Sequence, residues 1–316
     1  MEEYKNKIKI CAIVGPTASG KSSLAIWLAK QINAEIVSAD SMQIYKGMDI
    51  GTAKPSAEER KAVPHHMIDF LNQDELFSVA DYVKMAKNII RDIVSRGKKP
   101  ILVGGTGLYV DSLLNDIQFQ EQNENFAVRK KLIDELDKFG SQYMLEKLKE
   151  IDIEYARTLH PNNVKRIIRG LEIYYATGIK MSENLKLSKS KSSCFDACMI
   201  GLTFENRENL YKKINARVDN MMACGLLTEA ENIINSSVDS NTSMQAIGYK
   251  EFIGYFNGTE RLDDCVLKLK QNTRKYAKRQ LTWFRRNKYI NWIYCDKLSN
   301  IEIKNRAMEI VQNHFK

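Results

Sequence analysis

The chain has 316 residues, of which 44% are hydrophobic and 28% charged, a balance typical of folded soluble proteins. Its formal net charge at pH 7 is +9, which indicates an anionic macromolecule among its partners unless the excess serves solubility alone. The six cysteines lack paired C-x-x-C spacing, so no zinc site is predicted. The charged start carries no signal-peptide pattern and no apolar run is long enough for a membrane span. We therefore expect a cytoplasmic protein without a membrane partner.

The first predicted elements surround a phosphate-binding motif. Ile8 to Val14 has the apolar run of a buried strand, and Ser23 to Gln31 has the pattern of a helix. The residues between them match G-x-x-x-x-G-K-[ST] in full: Gly15, Pro16, Thr17, Ala18, Ser19, Gly20, Lys21 and Ser22. Such a loop aims backbone N–H groups and a helix N-terminus at an anion, while Lys21 adds a positive charge and Ser22 a hydroxyl for Mg²⁺. The motif predicts a bound phosphate group without saying which one.

Strands and helices continue to alternate after this loop. Glu35 to Ala39 and Ile101 to Val103 have strand patterns, and Val79 to Ser95 has helical spacing. The alternation predicts the α/β class, with a P-loop NTPase-like core built on a parallel sheet. In such sheets the ligand sits beyond the carboxyl ends of the strands. Asp40 and Thr106 follow two of these ends, so we expect them in one crevice with the phosphate loop.

The residues at these two strand ends limit the chemistry. The strand at Ile101 to Val103 runs into Gly104-Gly105-Thr106-Gly107 without an acidic residue, which argues against a motor-type ATPase. Asp40 is a candidate general base, and the alternative is that it caps a turn or a helix. The polar, glycine-bearing segment Gly47 to Pro55 has the composition of a loop that shapes a pocket.

The middle of the chain changes character, and this predicts a helical insertion into the core. Three segments there have helical patterns, namely Val128–Phe139, Tyr143–Lys149 and Pro161–Thr177, and the lysine- and serine-rich Leu185–Ser193 is predicted to be a flexible surface loop. Strand character returns at Met199–Leu202, and Tyr289–Tyr294 is predicted to be a last strand. The predicted organisation is a first core part (1–114), the helical insertion (115–195) and a core completion that carries a basic helix (196–316).

Positive charge is concentrated in two segments. The segment from 270 to 288 contains no acid, and its basic residues are Lys270, Arg274, Lys275, Lys278, Arg279, Arg285, Arg286 and Lys288. Tyr276, Trp283 and Phe284 are interleaved with them. The second segment is Lys165-Arg166-Ile167-Ile168-Arg169, within the predicted insertion. Clusters of one sign favour a polyanion such as a nucleic acid, and the alternative is an ordinary solvated helix face.

Taken in order, blocks spread over nearly the whole chain resemble the tRNA dimethylallyltransferases, enzymes that modify the adenosine 3′ of the anticodon. The blocks are the phosphate loop, Ser38–Lys54, Pro64–Asp69 with its two histidines, Leu102–Tyr109, Lys165–Arg169 and Ala277–Arg285. The loop by itself is moderately specific, whereas the ordered set is highly specific. The zinc-finger extension of some eukaryotic relatives is absent, so the resemblance is to the bacterial type.

This resemblance implies transfer of a dimethylallyl group from its diphosphate to N6 of adenine, with Mg²⁺ as cofactor and release of diphosphate. It implies that Asp40 is the base, that Lys21 and Thr106 take part in catalysis, and that Arg217 holds the diphosphate together with the loop. The expected contacts with the tRNA anticodon stem-loop are Asp40, Ser41, Met42, Gln43, Thr106, Lys165, Arg166, Ile167, Ile168, Arg169, Lys278 and Arg279. His65 and His66 are expected to be structural, and the chain is expected to be a monomer.

Three other functions remain open at this point. One is a kinase that uses ATP on the loop, and another is an RNA-binding protein whose loop binds a nucleotide without catalysis. The block from Ser38 to Lys54 argues against both, because neither needs an acid and an elaborate polar loop there. The third is prenyl transfer to a free adenine nucleotide. The predicted insertion and the charges between Lys270 and Lys288 favour tRNA instead.

Overall fold

The computed structural model describes residues 7–117, 126–188, 192–236 and 244–316. Six strands form one parallel sheet: β1 (Ile8–Val14), β2 (Ala34–Ser38), β3 (His65–His66), β4 (Lys99–Gly104), β5 (Phe195–Thr203) and β6 (Ile290–Tyr294). Their order across the sheet is β3-β2-β4-β1-β5-β6. The predicted α/β class with a parallel sheet is thereby confirmed. β1 lies in the middle because its run of apolar residues is buried on both faces, as the interior of a parallel sheet requires.

The helices are α1 (Lys21–Ile32), α2 (Ala57–Ala62), α3 (Val79–Ser95), α4 (Gly107–Leu114), α5 (Phe126–Ile151), α6 (Ile153–Ala156), α7 (Val164–Thr177), α8 (Met181–Ser188), α9 (Arg207–Ala223), α10 (Leu226–Ser236), α11 (Ile253–Phe256), α12 (Leu262–Phe284) and α13 (Asn300–Phe315). A short 3₁₀ turn at Lys250–Phe252 precedes α11. Within the described ranges, none of the helices combines the length and the apolar character that crossing a bilayer requires.

Helices cover both faces of the sheet. On one face, α3 and α4 place Ile90 and Val110 against Ala12 and Leu102. On the other face, α1 and α13 pack against the alternate strand residues, such as Ile13. A third apolar cluster joins α10 and α12 to the segment that follows β2. This third cluster supports one wall of the site described below.

The chain divides into two compact units, one formed by residues 1–115 and 193–316 and the other by residues 116–192. The second unit is helical and has its own apolar core, in which Leu132, Leu148 and Leu171 are buried. Within α5, Gly140 adopts φ 79° and kinks the helix between the two segments predicted as separate helices.

Two sequence predictions need correction. The flexible loop expected at Leu185–Ser193 is wrong over Leu185–Ser188, which form the end of α8; residues 189–191 lie outside the described part of the chain. The helix is fixed at its start, where Asp152 accepts a hydrogen bond from the Ser182 backbone (2.8 Å), and Lys186 pairs with Glu154 at 2.6 Å. The strand expected at Met199–Leu202 is longer, since β5 already pairs with β1 from Phe195.

Candidate active site

A cavity of about 480 Å³ opens at the carboxyl ends of the strands in the sheet-containing unit. It is lined by the phosphate loop, by the loops that follow β2 and β4, by α9 and by α12. The lining includes Lys21, Asp40 and Arg217. The predicted convergence of strand ends therefore holds for the loops after β1, β2 and β4. α9 and α12 close the cavity from the side.

The phosphate loop has the backbone shape that an anion-binding loop needs. Gly15 has φ 139°, and a Cβ atom there would lie 2.3 Å from the carbonyl oxygen of Leu202, so only glycine fits beside β5. Ala18 (φ 62°) and Gly20 (φ 89°) are left-handed, which turns the chain sharply into α1. Gly20 is the N-cap of α1 and offers no side-chain cap, so the N–H groups of the first turn have no acceptor within the helix. They are the expected ligands of an anion.

Two cations face the cavity beside this loop. The ammonium group of Lys21 donates to the carbonyl of Pro16 at 2.6 Å. Burial and, after it, the positive charge of Arg217 lower its pKa to about 7, while the Asp40 carboxylate opposes both effects. Burial also lowers the pKa of Arg217, which has no hydrogen bond or ion pair within the described ranges. Neither cation forms an ion pair with a described residue, and a diphosphate would supply that partner.

Asp40 lies just beyond β2, with one carboxylate oxygen anchored and the other open. Oδ1 accepts hydrogen bonds from the backbone N–H groups of Met42 (2.9 Å) and Gln43 (3.4 Å), which form a tight turn. Oδ2 has no hydrogen-bond partner in the part of the chain that the structure describes. Thr106 lies next to this turn, because its Oγ1 accepts from the Ser41 backbone at 3.1 Å. Asp40 can therefore hold the turn through Oδ1 and still accept a proton at Oδ2.

Ser41, Met42 and Gln43 all line the cavity, but the Gln43 amide is already engaged. Its Nε2 donates to the carbonyls of Thr52 (3.2 Å) and Ala53 (3.3 Å), and its Oε1 accepts from Ser38 (3.2 Å). Gln43 therefore holds the polar loop at 47–55 against the turn. In this turn the Asp40 carboxylate keeps one oxygen without a partner among the described residues, whereas the Ser41 hydroxyl accepts from Thr106 at 3.4 Å and Thr106 itself lies outside the cavity lining.

The polar loop is fixed from outside by an acid that sequence analysis missed. Glu229 on α10 accepts from the backbone of Asp49 (3.0 Å), Ile50 (2.8 Å) and Gly51 (2.9 Å), and from the Tyr249 hydroxyl (2.8 Å). The three backbone partners lie about 180 positions away in the sequence, and no motif marks the pairing. A partly buried carboxylate that accepts several N–H groups holds them in place through charge-assisted hydrogen bonds.

The two histidines take different places. His65 lines the cavity, and burial lowers its pKa. His66 contacts Glu35 at 2.7 Å, in a cluster with Arg96 and Lys98. Hydrogen bonds from Arg96, then Lys98 and His66, keep the pKa of Glu35 well below its usual range. His66 is thus structural, as predicted.

α12 presents two faces. Tyr276, Arg279 and Gln280 line the cavity, whereas Lys278 is exposed and lies outside the lining. The Arg279 guanidinium lies over the Tyr276 ring, 5.6 Å from its centre. Burial raises the pKa of Tyr276 to about 12, and the Asp40 carboxylate adds to the rise. Tyr276 is a cavity residue that charge patterning could not distinguish from its neighbours.

In the helical unit, the basic segment lies at the start of α7, and its residues differ in how far they are buried. Lys165 and Arg166 are exposed, and Arg169 pairs with the buried Glu172 at 3.0 Å. The side chains of Ile167 and Ile168 are 1% and 4% exposed and pack into the core of this unit. Their predicted contact with tRNA is therefore corrected: they anchor α7 in that core, and the exposed cations beside them are Lys165 and Arg166.

The donor set for Mg²⁺ is small. Ser22 lines the cavity at the first turn of α1, as the motif predicts. In the described ranges there is no group of three or more His, Cys, Asp and Glu side chains that could hold a metal ion. Mg²⁺ commonly keeps several waters and is held by substrate phosphates with one or two protein ligands. A single hydroxyl beside an anion-binding loop fits an ion that arrives with a diphosphate.

The chain is similar to known proteins over most of its length. A family model described as IPP transferase matches residues 43–287. A tRNA dimethylallyltransferase of Caldanaerobacter subterraneus is 50% identical over 297 residues, covering 93% of this chain and 94% of the relative. One from Bacillus subtilis is 47% identical over 302 residues, covering 96% of both.

Solved structures show the same likeness. The full-length tRNA isopentenylpyrophosphate transferase of Bacillus halodurans superposes with a TM-score of 0.73 at 41% identity, over 98% of this chain and 97% of that one. A eukaryotic dimethylallyltransferase acting on tRNA superposes with a TM-score of 0.81 at 31% identity, over 98% of this chain and 79% of that one. The core therefore has the P-loop NTPase-like fold that the motif predicted.

Proposed function

Because the chain belongs to the IPP transferase family, in which similar curated members are named tRNA dimethylallyltransferases, we propose a specific reaction for the cavity. A dimethylallyl group passes from dimethylallyl diphosphate to N6 of the adenosine 3′ of the anticodon in tRNA, and diphosphate is released. The observation that carries this proposal is one cavity whose lining combines a cationic phosphate loop with the Asp40 carboxylate, of which one oxygen has no hydrogen bond from the described residues. A tRNA substrate implies work in the cytoplasm.

The cationic end of the cavity binds the leaving group. The open N–H groups of the first turn of α1 and the side chains of Lys21 and Arg217 surround the diphosphate. Negative charge on the leaving group grows as the carbon–oxygen bond breaks, so fixed cations favour the transition state over the bound substrate. No residue is needed to activate water, which explains why β4 ends in glycines without an acid.

Mg²⁺ bound with the diphosphate and Ser22 would supply further positive charge to the leaving group. The rest of the phosphate site is made by the chain itself. Lys21 is held in the loop by Pro16, and Arg217 projects from α9. The low pKa of Lys21 reflects its burial and the nearby charge of Arg217, and a bound diphosphate would restore the charged form.

The carboxylate end accepts the proton. The adenine amine is a weak nucleophile because its lone pair is delocalised into the ring, so removing a proton as the bond forms assists the reaction. Asp40 Oδ1 is fixed by two backbone N–H groups, which leaves Oδ2 as the oxygen that would accept the proton. Thr106 and Ser41 lie beside it and hold the same turn.

The target base has to leave the stack of the anticodon loop to reach Asp40, which costs a few kcal/mol. Single-stranded RNA is usually held by stacking and by contacts with phosphates. Tyr276 offers an aromatic ring at the cavity, and Arg279 lies over that ring at 5.6 Å. Lys278 on α12 and the exposed Lys165 and Arg166 of the helical unit are the proposed phosphate contacts.

The test is a prenyl-transfer assay with purified protein, Mg²⁺, labelled dimethylallyl diphosphate and unmodified tRNA, with AMP and ATP as competing acceptors. The matched control is the same tRNA with guanosine in place of the adenosine 3′ of the anticodon. Label in the first tRNA alone is the expected result. Label in AMP would move the enzyme to the free-nucleotide class, and label moving from the γ-phosphate of ATP to an acceptor would replace prenyl transfer with kinase chemistry.

A further inference from the structure

The side chain of Gln280 joins two active-site loops. Its Oε1 accepts a hydrogen bond from the Thr17 backbone in the phosphate loop (2.8 Å), and its Nε2 donates to the carbonyl of Gly105 after β4 (3.0 Å). Gln280 is 6% exposed, so water does not replace these bonds easily. Three chain segments that are far apart in sequence meet at this one amide.

The amide occupies space that only glycine leaves free. A Cβ atom on residue 105 would lie 2.0 Å from Gln280 Nε2. The next residue is Thr106, which bonds to the Ser41 backbone beside Asp40. Gln280 thus contacts the loop that holds the diphosphate and, through Gly105 and Thr106, the turn that holds the base.

The same helix carries the cations that face RNA. Arg279 immediately precedes Gln280, and Tyr276 lies one turn earlier on the cavity side. Gln280 is part of α12, so a shift of this helix when phosphates bind Lys278 and Arg279 also moves the Gln280 amide and its two hydrogen bonds.

From these contacts we propose that Gln280 is a positioning residue that couples tRNA binding on α12 to diphosphate affinity in the phosphate loop. The inference rests on the proposed function only in taking tRNA as the partner of α12. Gln280 already holds Thr17 and Gly105, so phosphate contacts that stabilise this position of α12 also stabilise the loop geometry that binds diphosphate. By linkage, diphosphate then strengthens tRNA binding by the same factor.

The test measures binding, so it does not depend on turnover. The affinity of Mg²⁺–diphosphate is measured by calorimetry for the full chain, with and without unmodified tRNA. In the unaltered protein we expect tRNA to raise diphosphate affinity about 5-fold or more, within the usual range of such couplings. In Gln280→Glu an oxygen replaces the donor that faces Gly105, so the coupling should fall below about 2-fold while tRNA affinity without diphosphate stays within about 3-fold.

Gln271→Glu is the matched control, because it makes the same chemical change at an exposed position of α12. Gln280→Met keeps the size of the side chain without either hydrogen bond, and it is measured in parallel so that a poorly folded Gln280→Glu protein does not decide the question. The proposal is overturned if tRNA still raises diphosphate affinity by the full factor in a folded Gln280 variant. It is also overturned if Gln271→Glu lowers that factor equally. Loss of coupling in both Gln280 variants supports it even if the prenyl-transfer assay fails.

Discussion

Lys21 and Arg217 show how single residues prepare this site for an anion. Each is a cation whose pKa is lowered chiefly by burial, and the Asp40 carboxylate raises the pKa of both. Since Arg stays protonated at neutral pH and Lys21 titrates near 7, the charge of the empty loop depends on Lys21. The protonation of such a lysine changes when an anionic ligand binds beside it.

Binding of diphosphate should therefore be linked to proton uptake by Lys21. A bound anion favours the charged ammonium and raises its pKa, so a proton is taken up wherever the free site is neutral, above about pH 7. Affinity should fall as pH rises above 7. The measurement is calorimetry at pH 8 in two buffers of different ionisation enthalpy. Lys21→Arg is the matched control, since it stays charged, and equal uptake in both proteins would refute the assignment.

Asp40→Asn should separate chemistry from binding. The amide keeps an oxygen for the N–H groups of Met42 and Gln43, so the turn persists, but it cannot accept the proton from adenine. We expect single-turnover transfer to fall about 10²–10⁴-fold, with tRNA affinity changed by no more than about 3-fold. Asp74→Asn, at an exposed position, is the control. An unchanged transfer rate with lost tRNA binding would remove Asp40 from the chemistry.

At the scale of elements, α12 serves two surfaces through its periodicity. Leu269, Thr273, Tyr276 and Gln280 recur on the side of the cavity, while Lys275 and Lys278 are exposed. Near its end, Trp283 donates to Asp111 on α4 at 2.7 Å, which ties the helix to the core. One helix therefore carries polar groups for the cavity and cations for an outside partner.

Lys278→Ala and Arg279→Ala should differ because of this division. Each removes one proposed phosphate contact, so each should weaken tRNA binding and reduce the slope of log affinity against log salt by about 1. Only Arg279→Ala should also lower kcat, by about 10-fold or more, since Arg279 lines the cavity. Salt titrations and steady-state rates distinguish the two, with Lys61→Ala on α2 as control. Equal effects on kcat would show that the two faces are not separate.

The sequence could predict those elements whose signal is local. The motif at Gly15–Ser22, the strand ends at Asp40 and Thr106, and the basic character of α12 all lie in short stretches. Gln280 and Glu229 had no such signal, because their partners are backbone groups about 175 to 263 positions away. Ile167 and Ile168 were misassigned because basic neighbours outweighed the apolar spacing of α7, which places them in a core. Lysine and serine content likewise hid the helix at Met181–Ser188.

At the scale of the whole molecule, the two units have separate apolar cores. The core of the helical unit is built from residues of that unit alone, including Met144, Leu148 and Leu171. The sheet-containing unit holds the entire cavity lining. Diphosphate binding and the stability of the helical unit should therefore be separable by mutation.

Leu148→Ala tests this separation. Leu148 is fully buried, so the substitution should destabilise the helical unit by about 2–5 kcal/mol. Thermal unfolding should show an earlier transition and tRNA affinity should fall, while the affinity for Mg²⁺–diphosphate stays unchanged. Ile153→Ala, at a position that is 54% exposed, should change stability by no more than about 0.5 kcal/mol. A matching loss of diphosphate affinity in Leu148→Ala would mean that the units are not independent.

The strand order has a consequence for biosynthesis. β1 lies between β4 and β5, and β6 pairs with β5, so the sheet needs strands from both ends of the chain. The helical unit is contiguous and leaves the ribosome before β5 and β6. At typical synthesis rates, β6 follows residue 192 by about 5 to 20 s. During that interval the outer edge of the nascent β5 is unpaired, and we expect chaperones to be needed at this stage of synthesis, even though the finished sheet pairs that strand on both sides.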